Sequence, residues 1–327
     1  MLIRVNQTQS YPGAGGPAGF RGTTLLRKLQ QRALLGLTPV LVASDIDHTF
    51  WMKERADVAT GLHAELTRRS IPTAYVTGRS YSDVGALMRR EGLPTPDMLA
   101  SSVGTQRYLN SGRGLHLDPS FQEEIRRRGF EKEALAQALK PVLARANTGL
   151  VRQPHNQGPE ETNKLSYYVT LPRRIAGRIA LLREELQAHV GRRAKVVVAQ
   201  DIHHHEPDSL RFCIDLLPVT KEQALSDVLA LDRRMQVLTA GDSGNDAQLL
   251  LDVAAPGVSV VVGGAKDELV SEVLRRTQPT AQRYLRTLEV PSGAGPIQRW
   301  VYMGTHAPGN ELGPDSIVRA LALLSPL

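Results

Sequence analysis

Short apolar runs that each break off at a polar cluster recur along this chain, and they limit its fold more than any other feature. The first is Pro39-Val40-Leu41-Val42-Ala43, followed after Ser44 by Asp45-Ile46-Asp47-His48-Thr49. Residues 71–76, 98–103, 235–240 and 258–262 repeat the theme. An apolar run of this length without a period reads as a strand buried on both faces, as in a parallel sheet covered by helices. Helical patterns lie between the runs, at residues 56–69, from Ser80 to Glu91, from Lys221 to Leu231, up to Asp252, and at residues 266–276. Strand and helix alternation of this kind predicts an α/β fold, a doubly wound, Rossmann-like parallel sheet whose ligands sit at the carboxyl ends of the strands.

The pattern changes over residues 112–207, where the sequence reads as two helices broken near Gly129, strands near Leu150 and over 165–170 and 194–199, and a helix over 174–190. This predicts an α+β cap inserted into a core made of residues 39–111 and 208–327. Residues 1–38 are expected to be an N-terminal extension, a mobile Gly- and Pro-rich tail to about Phe20 and then a short basic helix over 23–35. The cap's polar loops, 153–163 and 200–208, hold the run His203-His204-His205. Consecutive residues of an extended segment point to opposite faces, so the run reads as a solvated loop and not as a metal tract.

Composition narrows the partners. A net charge of +7 with a pI near 9.7 favours anions. No basic block is interleaved with aromatics, and aromatic residues make up only 5% of the chain, which argues against nucleic acid. No apolar run approaches the roughly 18 residues that span a bilayer. The single Cys213 excludes an internal disulfide and fits a reducing, cytoplasmic setting. Oligomeric state stays open between monomer and homodimer.

The polar clusters carry chemistry. Extended backbone would aim Asp45 and Asp47 to one side, where one carboxylate can attack and the other handle a proton. Two such acids repel unless a cation joins them, and a hard divalent ion with oxygen ligands suits the pair. Thr77-Gly78-Arg79-Ser80 places a hydroxyl and backbone N–H groups where a helix begins, an anion-binding arrangement or, more simply, a helix cap. Lys221 at an expected helix start opposes the helix dipole, which implies a neighbouring anion. Gly241-Asp242-Ser243-Gly244-Asn245-Asp246 again puts acids at a strand end.

Taken together, Asp45-Ile46-Asp47-His48-Thr49, Thr77-Gly78-Arg79, Lys221 and Gly241-Asp242-Ser243-Gly244-Asn245-Asp246 resemble, in order and placement, the four motifs of the haloacid dehalogenase superfamily of phosphatases. An insertion between the second and third motifs resembles the type IIB cap. Ser80, Ser102-Val103-Gly104-Thr105, Lys164-Leu165-Ser166-Tyr167-Tyr168 and Asp215-Leu216-Leu217-Pro218 resemble the sucrose-phosphate phosphatases and related sugar-phosphate phosphatases. The resemblance implies Asp45 as nucleophile, Asp47 as acid and base, and Thr77 and Lys221 as catalytic partners. It implies Mg²⁺ held by Asp45, the Asp47 carbonyl, Asp242 and Asp246. Thr77, Gly78, Arg79, Lys164 and Asn245 would bind a phosphorylated sugar, such as sucrose 6-phosphate.

Two other readings compete. A phosphosugar mutase of the same fold would need a bisphosphorylated activator, and a non-catalytic carbohydrate-binding module would not need the complete set of acids.

Overall fold

The computed structural model describes residues 18–146, 150–153, 163–201, 206–293, 295–308 and 311–324. Most of the expected N-terminal tail, the loop over 154–162 and the run His203-His204-His205 lie outside them. In chain order the elements are α1 (Thr24–Leu34), β1 (Val40–Ser44), α2 (Ala56–Arg68), β2 (Thr73–Val76), α3 (Tyr81–Arg90), β3 (Met98–Ser101), β4 (Gln106–Asn110), β5 (Leu115–Leu117), α4 (Pro119–Arg127), α5 (Lys132–Ala146) and β6 (Val151–Arg152). They continue with β7 (Leu165–Pro172), α6 (Arg178–Val190), β8 (Lys195–Gln200), β9 (Ser209–Leu217), α7 (Ser226–Leu229), β10 (Gln236–Gly241), α8 (Ala247–Leu251), β11 (Gly257–Val261), α9 (Asp267–Arg276), β12 (Gln278–Pro279), β13 (Leu285–Val290), β14 (Ile297–Met303) and α10 (Pro314–Leu321).

The larger sheet has ten strands in the order β12-β13-β14-β11-β10-β1-β2-β3-β4-β5. Its middle, from β14 to β3, is parallel, and antiparallel strands close both edges. The pleat of β1 explains its unbroken apolar run. Val40 and Val42 enter one core, Leu41 and Ala43 another on the opposite face. Helices cover both faces, and α2 does so with Ala59, Leu62 and Leu66, spaced as one stripe of a helix. Strand order reverses between β1 and β10, and register pairs Ser44 with Ala240. Asp45 and Gly241 therefore leave the sheet side by side at the switch point, where open α/β sheets bind ligands.

A second, antiparallel sheet in the order β6-β7-β9-β8 stands over the strand ends, with α5 and α6 on its outer face. Its strands alternate. Leu165, Tyr167 and Val169 on β7 and Phe212, Ile214 and Leu216 on β9 pack toward the helices, which turns Tyr168, Cys213 and Asp215 toward the core.

The structure moves the expected domain boundaries. Residues 209–217, assigned from sequence to the core, form β9, which pairs with both β7 and β8 in the cap sheet. The cap sheet therefore runs to Leu217. At the other end, β5 extends the large sheet, and α4 packs Phe121 and Ile125 into the core. The inserted unit thus begins at α5. The helix expected over 23–35 is present as α1, but it is no free extension. Leu25 and Leu29 are buried in the core with Phe20, and Lys28 pairs with Asp97 at 2.8 Å.

Candidate active site

Each acidic or hydroxylic cluster follows the end of a parallel strand, so the sheet itself assembles them. Asp45 follows β1, Thr77 follows β2 and Asp242 follows β10. Asp45 donates its N–H to Ala240 O, and Thr77 donates its own to Ala100 O. A cleft of about 490 Å³ opens between these ends and the cap. Core residues Asp45, Asp47, Thr77, Gly78, Arg79, Asp242 and Asn245 line it from below, and Lys164 lines it from the cap. Lys221 and Asp246 lie beneath this floor, 1% and 0% exposed.

Lys221 is the hub. Its ammonium donates to Asp45 Oδ1 at 2.8 Å, to Asp246 Oδ1 at 2.5 Å and to Asn245 Oδ1 at 3.3 Å. The helix expected to start at this lysine is shorter than the sequence suggests. A 3-10 turn over Gln223–Leu225 precedes the four residues of α7, so the anions that hold Lys221 are Asp45 and Asp246 and not a ligand alone. Gly104, at φ 90°, lets the chain pass Lys221; a first side-chain carbon there would stand 3.2 Å from both Lys221 Cα and Thr220 O. Asp246 is used up locally: Oδ2 accepts from the Asp242 and Ser243 N–H groups at 3.1 Å. Gly241 makes room for it, because a side chain at 241 would collide with Asp246.

Asp45, Asp242 and Asp246 bring ligand oxygens within 4.8 Å of one another. Burial pushes Asp45 up to about 7, with Asp246 and Asp47 adding to it and Lys221 opposing it. Burial, then Asp246 and Asp45, push Asp242 up to about 8. Burial works against the Lys221 ammonium, but the two carboxylates outweigh it and raise its pKa. Three buried carboxylates share one lysine, and the oxygen-only donor set fits a hard divalent cation that would relieve the excess charge.

Asp47, about a third exposed, is held by Arg79 through paired hydrogen bonds of 2.7 Å to its two oxygens. Expected to bind substrate, Arg79 here engages the second aspartate. Thr77 Oγ1 accepts from the Arg79 N–H at 3.2 Å.

The cleft also contains Gln153, from the loop expected to help set substrate choice, and residues for which the sequence suggests no role: His48, Tyr168, Gln200, Asp201, Cys213 and Asp215. The apolar-polar alternation of residues 165–170 and 212–216 was the signal for the cap wall, since the face away from the helices must meet something else. Asp215 accepts a short hydrogen bond from Ser166, and Asp201 pairs with Arg211 at 2.6 Å while that guanidinium lies over the Tyr168 ring. Burial, Asp215 and Asp201 push the Cys213 thiol up to about 12, which keeps it neutral.

A doubly wound sheet, acids and a lysine converging at its switch point, and an α+β cap inserted after the second cluster give the chain the fold and site layout of the haloacid dehalogenase superfamily. More narrowly, the family model for sucrose-6F-phosphate phosphohydrolase matches residues 38–293, and the chain belongs to that family. The probable sucrose-phosphatase 3a of Arabidopsis thaliana is 26% identical over 206 residues, 60% of this chain and 43% of that protein. The chain thus spans less than half the length of this curated relative. The sucrose-phosphatase of Synechocystis sp., solved with sucrose and phosphate, is 24% identical, covers 88% of this chain and 100% of its own, and superposes with a TM-score of 0.61. That likeness is one of fold. Among the described residues no helix is long and apolar enough to cross a membrane.

Proposed function

We propose that the chain hydrolyses a glycosyl phosphate monoester through an aspartyl-phosphate on Asp45, with Mg²⁺ as cofactor. The observation that carries this reading is the contact of Lys221 with Asp45 and Asp246 directly beneath the cleft. A nucleophilic carboxylate tied to a buried ammonium can approach an anionic phosphate.

Asp45 attacks phosphorus and the bond to the sugar oxygen breaks. Asp47 gives that oxygen a proton, then takes one from the water that cleaves the aspartyl-phosphate, so free phosphate leaves and Asp45 is restored. Arg79 holds Asp47 through one lone pair of each oxygen, which leaves a second lone pair on each for the proton transfers. Thr77, the Gly78 N–H and Asn245 face the phosphoryl oxygens. Asp45 and Asp242, with the Asp47 carbonyl, would hold the metal, and Asp246 would anchor the loop that carries Asp242. When bound, the cation neutralises charge shared by nucleophile and phosphate.

The cap wall supports a sugar as the leaving group. Asp201, Asp215, Gln153, Gln200 and Tyr168 present hydrogen-bonding groups suited to hydroxyls. Phosphate release from a panel of phosphorylated mono- and disaccharides, with Mg²⁺ or with chelator, tests the proposal. Turnover should be metal-dependent and concentrated on one glycosyl ester. Asp45→Asn should abolish it while leaving the circular dichroism spectrum intact, and retained turnover in that variant would refute the nucleophile.

A further inference from the structure

Strand β8 forms the edge of the cap sheet, and two of its successive residues touch two different loops of the core. Val197 is buried in a small apolar cluster with Leu217 of β9 and Val103 of the core. The next carbonyl, that of Val198, faces Gly244: a first side-chain carbon at 244 would lie 2.9 Å from Val198 O and 3.2 Å from Glu268 Cγ. Beside these touches a groove of about 270 Å³, lined by Ile179, Phe212, Gln248 and Glu272, opens between cap and core.

Both loops belong to the site. Val103 has φ 60° and Ser102 φ 50°. A β-branched residue rarely adopts that conformation unless its surroundings impose it, and such strain gathers where function needs it. Here the Ser102 and Val103 N–H groups donate to the Arg79 and Thr77 carbonyls, each at 2.8 Å. Gly244 stands in the loop between Asp242 and Asn245-Asp246, which a reciprocal cap between Ser243 and Asp246 holds in place. One strand of the cap thus rests on the loop behind Thr77 and Arg79 and on the loop carrying Asp242.

We propose that β8 is the seat that sets the position of the cap wall over the cleft, with Val197 and Gly244 as positioning residues for the leaving group. Glycine at 244 lets the strand come close enough. The substrate side of this inference rests on the glycosyl phosphatase reading; the seat itself does not.

Val197→Ala removes the apolar touch and Gly244→Ala wedges the strand away from its loop. Deuterium exchange should speed up in Lys195–Gln200 in both variants, with α2 unchanged as the internal reference. The kcat/KM of the glycosyl phosphate should fall about tenfold or more, as expected when a bound group is displaced by less than about 1 Å. In Val197→Ala, hydrolysis of p-nitrophenyl phosphate, whose small leaving group needs little from the cap wall, should be nearly retained. Wild-type exchange in β8 of both variants would overturn the seat, as would equal losses on the two esters in Val197→Ala. If the parent chain hydrolyses neither ester, the phosphatase reading fails while exchange in β8 still decides the seat.

Discussion

Asp45 and Asp242 stand at about 7 and about 8 in a protein without metal, well above the usual carboxylate range, because they are buried and face each other and Asp246. Folded carboxyls raised in this way keep protons that the unfolded chain releases near its ordinary value of about 4. Metal-free stability should therefore fall as pH rises from about 5 to about 8, the window in which the buried acids must ionise. A divalent cation replaces those protons, so the melting temperature gained on adding Mg²⁺ should be larger at about pH 8 than at about pH 5. Thermal unfolding with Mg²⁺ and with chelator at several pH values measures this, and a gain independent of pH would mean that the acids do not bind the ion. The residue types, Asp, Thr, Lys and Gly, were legible as chemistry from their placement after apolar runs. What Arg79 holds was not, because a guanidinium near a phosphate site and one near an aspartate look alike in a sequence.

Elements were read well where the apolar period was clean. β1, β2, β3 and β10 lie within a few residues of expectation, since a fully buried strand must be apolar throughout. β9 lies within the residues expected in the core, yet it belongs to the cap sheet. Nothing in Ser209–Leu217 says which strands it pairs with; register across nine residues decides that. α1 carries a clear helical pattern, but only its packing, with Leu25 and Leu29 in the core, shows that it is part of the fold and not an extension. Phe20 and Phe121 flank the Arg107 guanidinium, which also pairs with Asp118 at 2.7 Å and with Asp227, so Phe20, just before α1, is tied to α4 and α7. A chain starting at Thr38, where the family match begins, should lose on the order of 5 kcal/mol, from about 2 kcal/mol for each buried Phe20, Leu25 and Leu29 side chain. Urea unfolding would read the loss, and an unchanged midpoint would show that α1 is dispensable.

The cleft exists only where the two sheets meet. The core supplies Asp45, Asp47, Thr77 and Asp242; the cap supplies Lys164, Tyr168, Asp201 and Asp215. Lys164 is 6% exposed and lines the cleft from the cap. Lys164→Ala should raise KM for the glycosyl phosphate about tenfold with a smaller change in kcat, the signature of lost ground-state binding. Steady-state kinetics would check it, and an unchanged KM would remove Lys164 from substrate recognition. By itself the sequence determined the doubly wound core, the acids at its strand ends and the presence of an inserted cap, because buried strands and helix stripes leave periods that one chain carries alone. Only tertiary structure decided where the cap begins and ends, that Arg79 grips Asp47, and that β8 rests on Val103 and Gly244, because pairing and close approach depend on residues far apart in the chain meeting across a gap that no local pattern records.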